Sequence, residues 1–212
     1  MVKVIITGSN GLLGQTLLGL LLNEKESYQV IGFSKGKNRS GREDFNYVSI
    51  DLTKKENLKE KIQEIQPDFI FHLAAQPIVS LSYNDPIETL STNIMGTANL
   101  LEVLRLLQKP CIAIIITSDK CYDNVEWIYG YKESDAVGGK DIYSGSKGSA
   151  ELIFKSYYHS FFKKPESKVK IASVRAGNVI GGGDWALDRI VPDCMRSWNE
   201  KRIVEIRSPN AT

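Results

Sequence analysis

The sequence predicts an α/β fold with a doubly wound parallel sheet, and three observations carry that expectation. Short runs rich in β-branched and apolar residues recur at 2–7, 28–34, 46–50, 68–73, 111–116 and 168–174. Helical stretches separate them, which is the alternation that right-handed βαβ crossovers require. Several runs end on small or polar residues, where an open parallel sheet receives its ligands. The expected strand order is 3-2-1-4-5-6, with helices on both faces.

The bulk numbers bound the problem. A chain of 212 residues suits one such domain, or one domain and part of a second. With 42% hydrophobic and 25% charged residues it can bury a full core. A net charge of +2 gives no whole-chain case for nucleic acid or a membrane surface as partner. Cys111, Cys121 and Cys194 are odd in number and lack metal-ligand spacing, and His72 and His159 are the only histidines. No metal site is expected from them. No leader-like segment or apolar run near membrane length stands in the chain, so the expected setting is the reduced cytoplasm.

Taken in order, Val2 to Thr7 reads as a strand buried on both faces. It runs into Gly8-Ser9-Asn10-Gly11-Leu12-Leu13-Gly14 and a helix through about Leu22. Small residues at this spacing let the backbone turn and approach a pyrophosphate, whose charge sits at the helix N-terminus. Gly8, Asn10, Gly11, Leu12, Leu13 and Gly14 are therefore candidates for holding a dinucleotide.

Tyr28 to Ser34 is the second strand. Its end ordinarily meets the adenosine ribose, with an acid choosing the free 2′-hydroxyl and a base accommodating a 2′-phosphate. No acid stands there. Ser34, Lys35, Lys37 and Arg39 follow instead, which suits NADP, or equally a solvated basic loop. Asn46 to Ile50 gives the third strand. Asp51, with Leu52 beside it, either accepts from an adenine amino group or caps a helix over 55–65.

Pro67 stops that helix, and Asp68 to Leu73 is the fourth strand. Leu73, Ala74 and Ala75 allow close backbone approach by a cofactor, and Gln76 is their first long polar neighbour. A helix from about Pro86 to Leu107 carries Asn93 and Gly96. Cys111 to Ile116 is a buried central strand ending in Thr117, Ser118, Asp119 and Lys120. Lys168 to Val174 is the sixth, followed by Arg175 to Asn178. The glycine loop, Ala74-Ala75, Ser118 to Lys120 and Arg175 to Asn178 then share one sheet edge.

Tyr143 and Lys147 stand four apart in a helical segment, on one helix face. The ammonium favours the phenolate and should lower a tyrosine pKa of about 10 toward neutrality. A phenolate beside a sugar alcohol can take its proton while a hydride leaves the same carbon. Such a pair is ordinarily a surface contact. Ser118 upstream and the glycine loop favour the chemical reading here.

Ser118, Tyr143 and Lys147, together with the glycine loop, resemble the extended short-chain dehydrogenase/reductase superfamily. Within it, TSDKCYDN (117–124), EWIYGY (126–131), YSGSKGSAEL (143–152), RAGNVIGGGDWALDRIVPD (175–193) and HLAAQP (72–77) resemble the nucleotide-sugar 4,6-dehydratases. The first 65 residues are more similar to a 4-keto reductase branch that uses NADPH. The resemblance implies a Rossmann domain over 1–175 and part of a nucleotide-sugar-binding subdomain over 176–212, in a truncated chain. It implies NAD as cofactor, with NADP possible, a nucleotide-diphosphate hexose such as CDP-glucose as substrate, and a possible homodimer.

It also implies the roles. Tyr143, Lys147 and Ser118 serve oxidation at carbon 4, Asp119 is the acid and Lys120 the base of the elimination. Thr117, Asn93 and Arg175 join the cofactor side; Gln76, Ser118, Asn178, Arg189 and Pro192 face the substrate. An epimerase or ketone reductase would keep Ser118, Tyr143 and Lys147 without needing an acid and base at 119 and 120. A non-catalytic dinucleotide-binding fragment or sensor is a reading from another class. Asp119 and Lys120 could be an ordinary ion pair, and Trp127, Tyr129 and Tyr131 either stack over the base or pack. Cys121 and His72 read as packing residues.

Overall fold

The computed structural model describes residues 1–24, 28–206 and 209. Residues 207, 208 and 210–212, which fall in the expected second unit, lie outside the described residues. Six strands, β1 (Val2–Thr7), β2 (Tyr28–Ser34), β3 (Asn46–Ser49), β4 (Phe69–His72), β5 (Cys111–Ser118) and β6 (Val169–Ala176), form one sheet. The order is β3-β2-β1-β4-β5-β6, and every neighbouring pair is parallel. This is the order expected from the sequence.

Side chains alternate across each strand, so one strand feeds two cores. Val4 and Ile6 pack with Val30 and with Leu18 of α1 (Leu12–Asn23) on one face. Ile5, Ile31, Ile70 and Ile115 pack on the other. There they meet Leu58 and Ile62 of α2 (Lys55–Ile65). Helices on both faces cover much of the central strands, which is why β1, β4 and β5 read as near-continuous apolar runs.

The long helix expected over 86–107 is three pieces. Pro86–Leu90 (α4) comes first, then a π-helical turn over Ser91–Met95, then α5 (Gly96–Leu104), and a separate helix, α3 (Val79–Asn84), precedes all three. Asp85 caps α4 by accepting from the Glu88 amide at 3.0 Å, with Pro86 in the first turn. The α3 helix was not anticipated. Nor was α7 (Ile190–Asn199), which is preceded by a glycine-rich stretch. The helix of the Tyr/Lys pair is α6 (Ile142–Tyr157), capped by Asp141, which accepts from the Ser144 amide at 2.9 Å.

Boundaries also shift. Strands β5 and β6 each run two residues past expectation because Thr117 pairs with Arg175 and Ser118 with Ala176. Among the described residues no helix is long and apolar enough to cross a membrane. No group of three or more His, Cys, Asp or Glu stands close enough to hold a metal ion, again among the described residues.

Candidate active site

The glycine loop leaves β1 with almost no spare volume. Gly8 has φ +73°, and a Cβ there would lie 2.7 Å from the Ala74 nitrogen. A Cβ on Gly14 would lie 2.3 Å from the Gly8 carbonyl oxygen. The Gly8 amide donates to the Phe33 carbonyl at 2.7 Å, which sets the loop beside the end of β2. Helix α1 then starts at Leu12 with no side-chain cap and no acidic residue in its first turn. Its first amides and positive dipole end are left for an anion. This cradle fits the pyrophosphate of a dinucleotide.

Asn10 organises the loop after β2. Its amide donates to Ser34 Oγ at 3.1 Å, its Nδ2 donates to the Lys37 carbonyl at 2.9 Å, and its Oδ1 accepts from the Arg39 amide at 2.9 Å. Tyr47, which the sequence did not single out, donates to the Gly36 carbonyl at 2.7 Å. Lys35 reaches back to two acids, 3.5 Å from Asp51 Oδ2 and 3.2 Å from Glu88 Oε1. The other Asp51 oxygen accepts from the Thr53 amide and hydroxyl at 3.0 and 2.7 Å. Leu52 is buried.

At the end of β4, the Leu73 amide donates to the Thr7 carbonyl and the Ala74 amide to Thr7 Oγ1. Gln76 is fastened by Asn93, whose Oδ1 accepts from the Gln76 amide at 2.8 Å. The Asn93 Nδ2 donates to Ser146 Oγ at 2.9 Å, tying the π turn to α6. The Gln76 side chain is occupied, its Nε2 donating to Thr89 Oγ1 at 2.8 Å and to the Ile78 carbonyl at 3.0 Å. His72 is 2% exposed, between Thr7 and Thr97. It packs, as expected.

The candidate catalytic groups meet where β5 ends. Ser118 donates to Asp119 Oδ1 at 2.9 Å and accepts from the Lys120 amide at 3.2 Å, capping a single 3₁₀ turn over Asp119–Cys121. Asp119 and Lys120 form no ion pair with each other among the described residues, which weighs against the simple pairing. Both line a cavity of about 1050 Å³ with Tyr122, Asn124, Tyr131 and Ser144. Tyr143 and Lys147 are 8% and 7% exposed.

Burial acts on both, and one expectation is corrected by it. The Tyr143 pKa is raised, chiefly because burial penalises the phenolate, although the Ser118 hydroxyl works the other way. Lys147 does not pull it down to neutrality. Burial lowers Lys147 itself to about 8.

Arg175 does not turn toward the glycine loop. Its guanidinium donates to Glu151 Oε2 at 2.9 Å and lies 4.8 Å from the centre of the Tyr122 ring. Glu151 was also missed, yet it stands four residues past Lys147 on the same helix face, so the spacing was there to read. Tyr122 stacks on Tyr131 at 5.0 Å, and Tyr131 meets Trp127 at 5.5 Å. These aromatics pack on one another, while Tyr129 is exposed. Cys121 is fully buried, and burial pushes its thiol up to about 11.

On the far side of the site Asn178 is exposed and Pro192 buried. Arg189 Nε lies 3.7 Å from Asp184 Oδ2, within ion-pair range but without a hydrogen-bond acceptor. Its charge acts on Tyr143 in the lowering direction. Gly181 sits over the Leu12 side chain, since a Cβ there would be 3.4 Å from it. Gly181 therefore reaches the start of α1, beside the glycine loop.

The family pattern described as GDP-mannose 4,6 dehydratase matches residues 5–165. The chain is 51% identical over 162 residues to CDP-glucose 4,6-dehydratase of Salmonella typhimurium, covering 75% of this chain and 45% of that protein. It is 29% identical over 184 residues to CDP-paratose 2-epimerase of Salmonella typhi, covering 75% of this chain and 54% of that one. The chain thus spans about half the length of these curated relatives. Among solved structures it is similar to UDP-glucose 4-epimerase of Thermus thermophilus in complex with NAD. That likeness has a TM-score of 0.75 at 26% identity, over 88% of this chain and 58% of that one. With its parallel six-stranded sheet, glycine-loop cradle and Ser/Tyr/Lys constellation, the chain belongs to the GDP-mannose 4,6 dehydratase family, among the NAD-dependent epimerase/dehydratase short-chain dehydrogenases/reductases.

Proposed function

We propose that the protein is a nucleotide-sugar 4,6-dehydratase that holds NAD and acts on a nucleotide-diphosphate hexose, CDP-glucose by its 51% likeness to that enzyme. The observation that carries the reading is the Ser118-Asp119-Lys120 turn. Its Asp119 and Lys120 line one cavity and are not spent on each other. An epimerase or ketone reductase has no use for that extra acid and base. Residues 1–175 hold the dinucleotide and residues 176–212 contribute to the sugar-nucleotide side. The proposal extends to a cytoplasmic homodimer, on family resemblance.

The dinucleotide is held by Gly8, Gly11 and Gly14 at its pyrophosphate and by Asp51 at its adenine. A nicotinamide bound there would supply a reversible hydride acceptor for carbon 4 and carbon 6. Tyr143 takes the proton of the 4-hydroxyl, with Lys147 as the adjacent cation and Ser118 hydrogen-bonding the same oxygen. The 4-ketone acidifies carbon 5. Lys120 removes that proton and Asp119 protonates the departing 6-hydroxyl, so water is lost across carbons 5 and 6; protonated Lys120 then gives its proton back to carbon 5 as carbon 6 gains hydride, with no net redox change. Asn178 and Arg189 face the nucleotide diphosphate, where Arg189 Nε, which lacks a hydrogen-bond acceptor, suits a phosphate oxygen.

The test compares two variants. Lys120→Met should lose about 10² to 10⁴ in turnover, while still oxidising carbon 4, so the absorbance of reduced nicotinamide should build up. Tyr143→Phe should show none. Release of a 4-keto-6-deoxy sugar by Lys120→Met at close to the parent rate would reject the assignment of the base. Formation of an epimer instead of a 4-keto-6-deoxy sugar by the parent protein would reject the dehydratase.

A further inference from the structure

The end of β2 lacks the acid that ordinarily selects NAD, and its basic residues favour NADP on sequence alone. The folded chain changes that balance. Lys35, the first residue past β2, lies 3.5 Å from Asp51 at the end of β3 and 3.2 Å from Glu88 on α4. Two carboxylates around one ammonium leave a net negative corner. Glu88 is the strongest influence holding the Lys35 proton, ahead of Asp51. The corner is itself braced, with Asp51 fixed by Thr53 and Glu88 Oε1 accepting from Thr92 Oγ1 at 3.3 Å.

We infer that Glu88, by occupying Lys35, selects NAD against NADP where the end of β2 offers no acid. The inference rests on the proposal that a dinucleotide lies across this edge, but not on the reaction it serves. A free 2′-hydroxyl is uncharged, so the carboxylates around Lys35 do not repel it and it loses nothing by finding Lys35 paired. A 2′-phosphate, with a charge of about −2 at neutral pH, meets the same carboxylates as repulsion and finds Lys35 already paired. Discrimination comes from the repulsive element. Lys37 and Arg39 give their backbone groups to Asn10, so the backbone of the loop is shaped around Asn10.

The test is equilibrium binding of NAD and NADP to the purified protein, by calorimetry, with parent, Glu88→Gln and Glu88→Gln/Lys35→Ala. The parent should bind NAD more tightly. Glu88→Gln should tighten NADP by roughly two- to fivefold, the size of one exposed ion-pair interaction, and leave NAD within about twofold. Adding Lys35→Ala should remove the gain, because the freed ammonium is what receives the phosphate. The gain should also fade near 1 M salt, where screening reaches about 3 Å. An unchanged NADP-to-NAD ratio in Glu88→Gln, or a gain that survives loss of Lys35, overturns the inference. Binding of neither dinucleotide overturns the cofactor proposal along with it. A dehydratase assay that fails while the selectivity shift appears rejects only the reaction.

Discussion

Arg175 Nη2 donates to Glu151 Oε2 across 2.9 Å, and this pair joins β6 to α6 directly behind the Ser118-Asp119-Lys120 turn. Glu151 also accepts from Thr117 Oγ1, while Arg175 Nη1 reaches the Glu133 carbonyl at 3.3 Å. The side chains are 16% and 5% exposed. Removing one partner of a buried pair strands the other charge, at about 3 to 5 kcal/mol. Arg175→Met should lose that much in urea unfolding. A double variant that also carries Glu151→Leu should recover part of it. A loss under about 1 kcal/mol in the single variant would mean that solvent reaches Glu151.

Lys147 predicts a pH signature. Its folded pKa is lowered from 10.5 to about 8, mainly by burial. Below about pH 8 both states carry the proton, and the folded state bears the full cost of a buried charge. Between about 8 and 10.5 the unfolded chain keeps a proton that the folded chain has shed, so this group makes stability rise with pH. At about 1.4 kcal/mol per unit the cost is about 3 kcal/mol. Lys147→Met should therefore be more stable than the parent at pH 7, with the gap closing above pH 10. An equal gap at both pH values would contradict this.

His72 acts at the other end of the scale. The Thr97 hydroxyl donates to the Asn93 carbonyl at 2.8 Å, so His72 Nε2 donates to Thr97, and Nδ1 accepts from Thr7. This network needs the neutral ring, and burial lowers the pKa to about 3. As pH falls from about 6.5 to 3, the unfolded chain gains a proton that the folded chain refuses, so stability is lost. The loss approaches about 5 kcal/mol by pH 3. His72→Asn should flatten this part of the curve while costing stability at neutral pH. An unchanged acid limb would show that other groups set it.

Two glycines in helices should respond in opposite directions. A Cβ on Gly14 meets the Gly8 carbonyl at 2.3 Å, whereas one on Gly145 meets nothing within 4 Å. Gly14→Ala should cost about 1 to 3 kcal/mol through overpacking and weaken dinucleotide binding. Gly145→Ala should gain roughly 0.4 to 1 kcal/mol by restricting the unfolded chain. Thermal melts of the two variants side by side check both signs.

What the sequence made legible follows from what determines it. Strand order was readable because central strands buried on both faces must be apolar along their length, and Val4, Ile5 and Ile6 announce that without tertiary information. The turn of Ser118 to Lys120 was readable for the same reason, as the point where such a run becomes polar. Arg175 misled because its place at a strand end suggests a ligand, whereas Glu151 arrives from a helix far along the chain. Lys35 misled in the same way, since Asp51 and Glu88 meet it only in the folded state. The raised Tyr143 pKa was out of reach because burial, unlike spacing, depends on the whole molecule.

The π turn over Ser91–Met95 sets Asn93 between Gln76 and Ser146. Such a turn amounts to an α-helix carrying one surplus residue. Deleting a single residue from it would let α4 and α5 fuse into one regular helix. The backbone would lose nothing in hydrogen bonding. The two halves would instead change phase by about 100°, and either Gln76 would lose its anchor or Leu100 and Leu104 would leave the core. The shortest viable version of this helix is thus a stable but misaligned one, so the surplus residue is retained for alignment and not for folding.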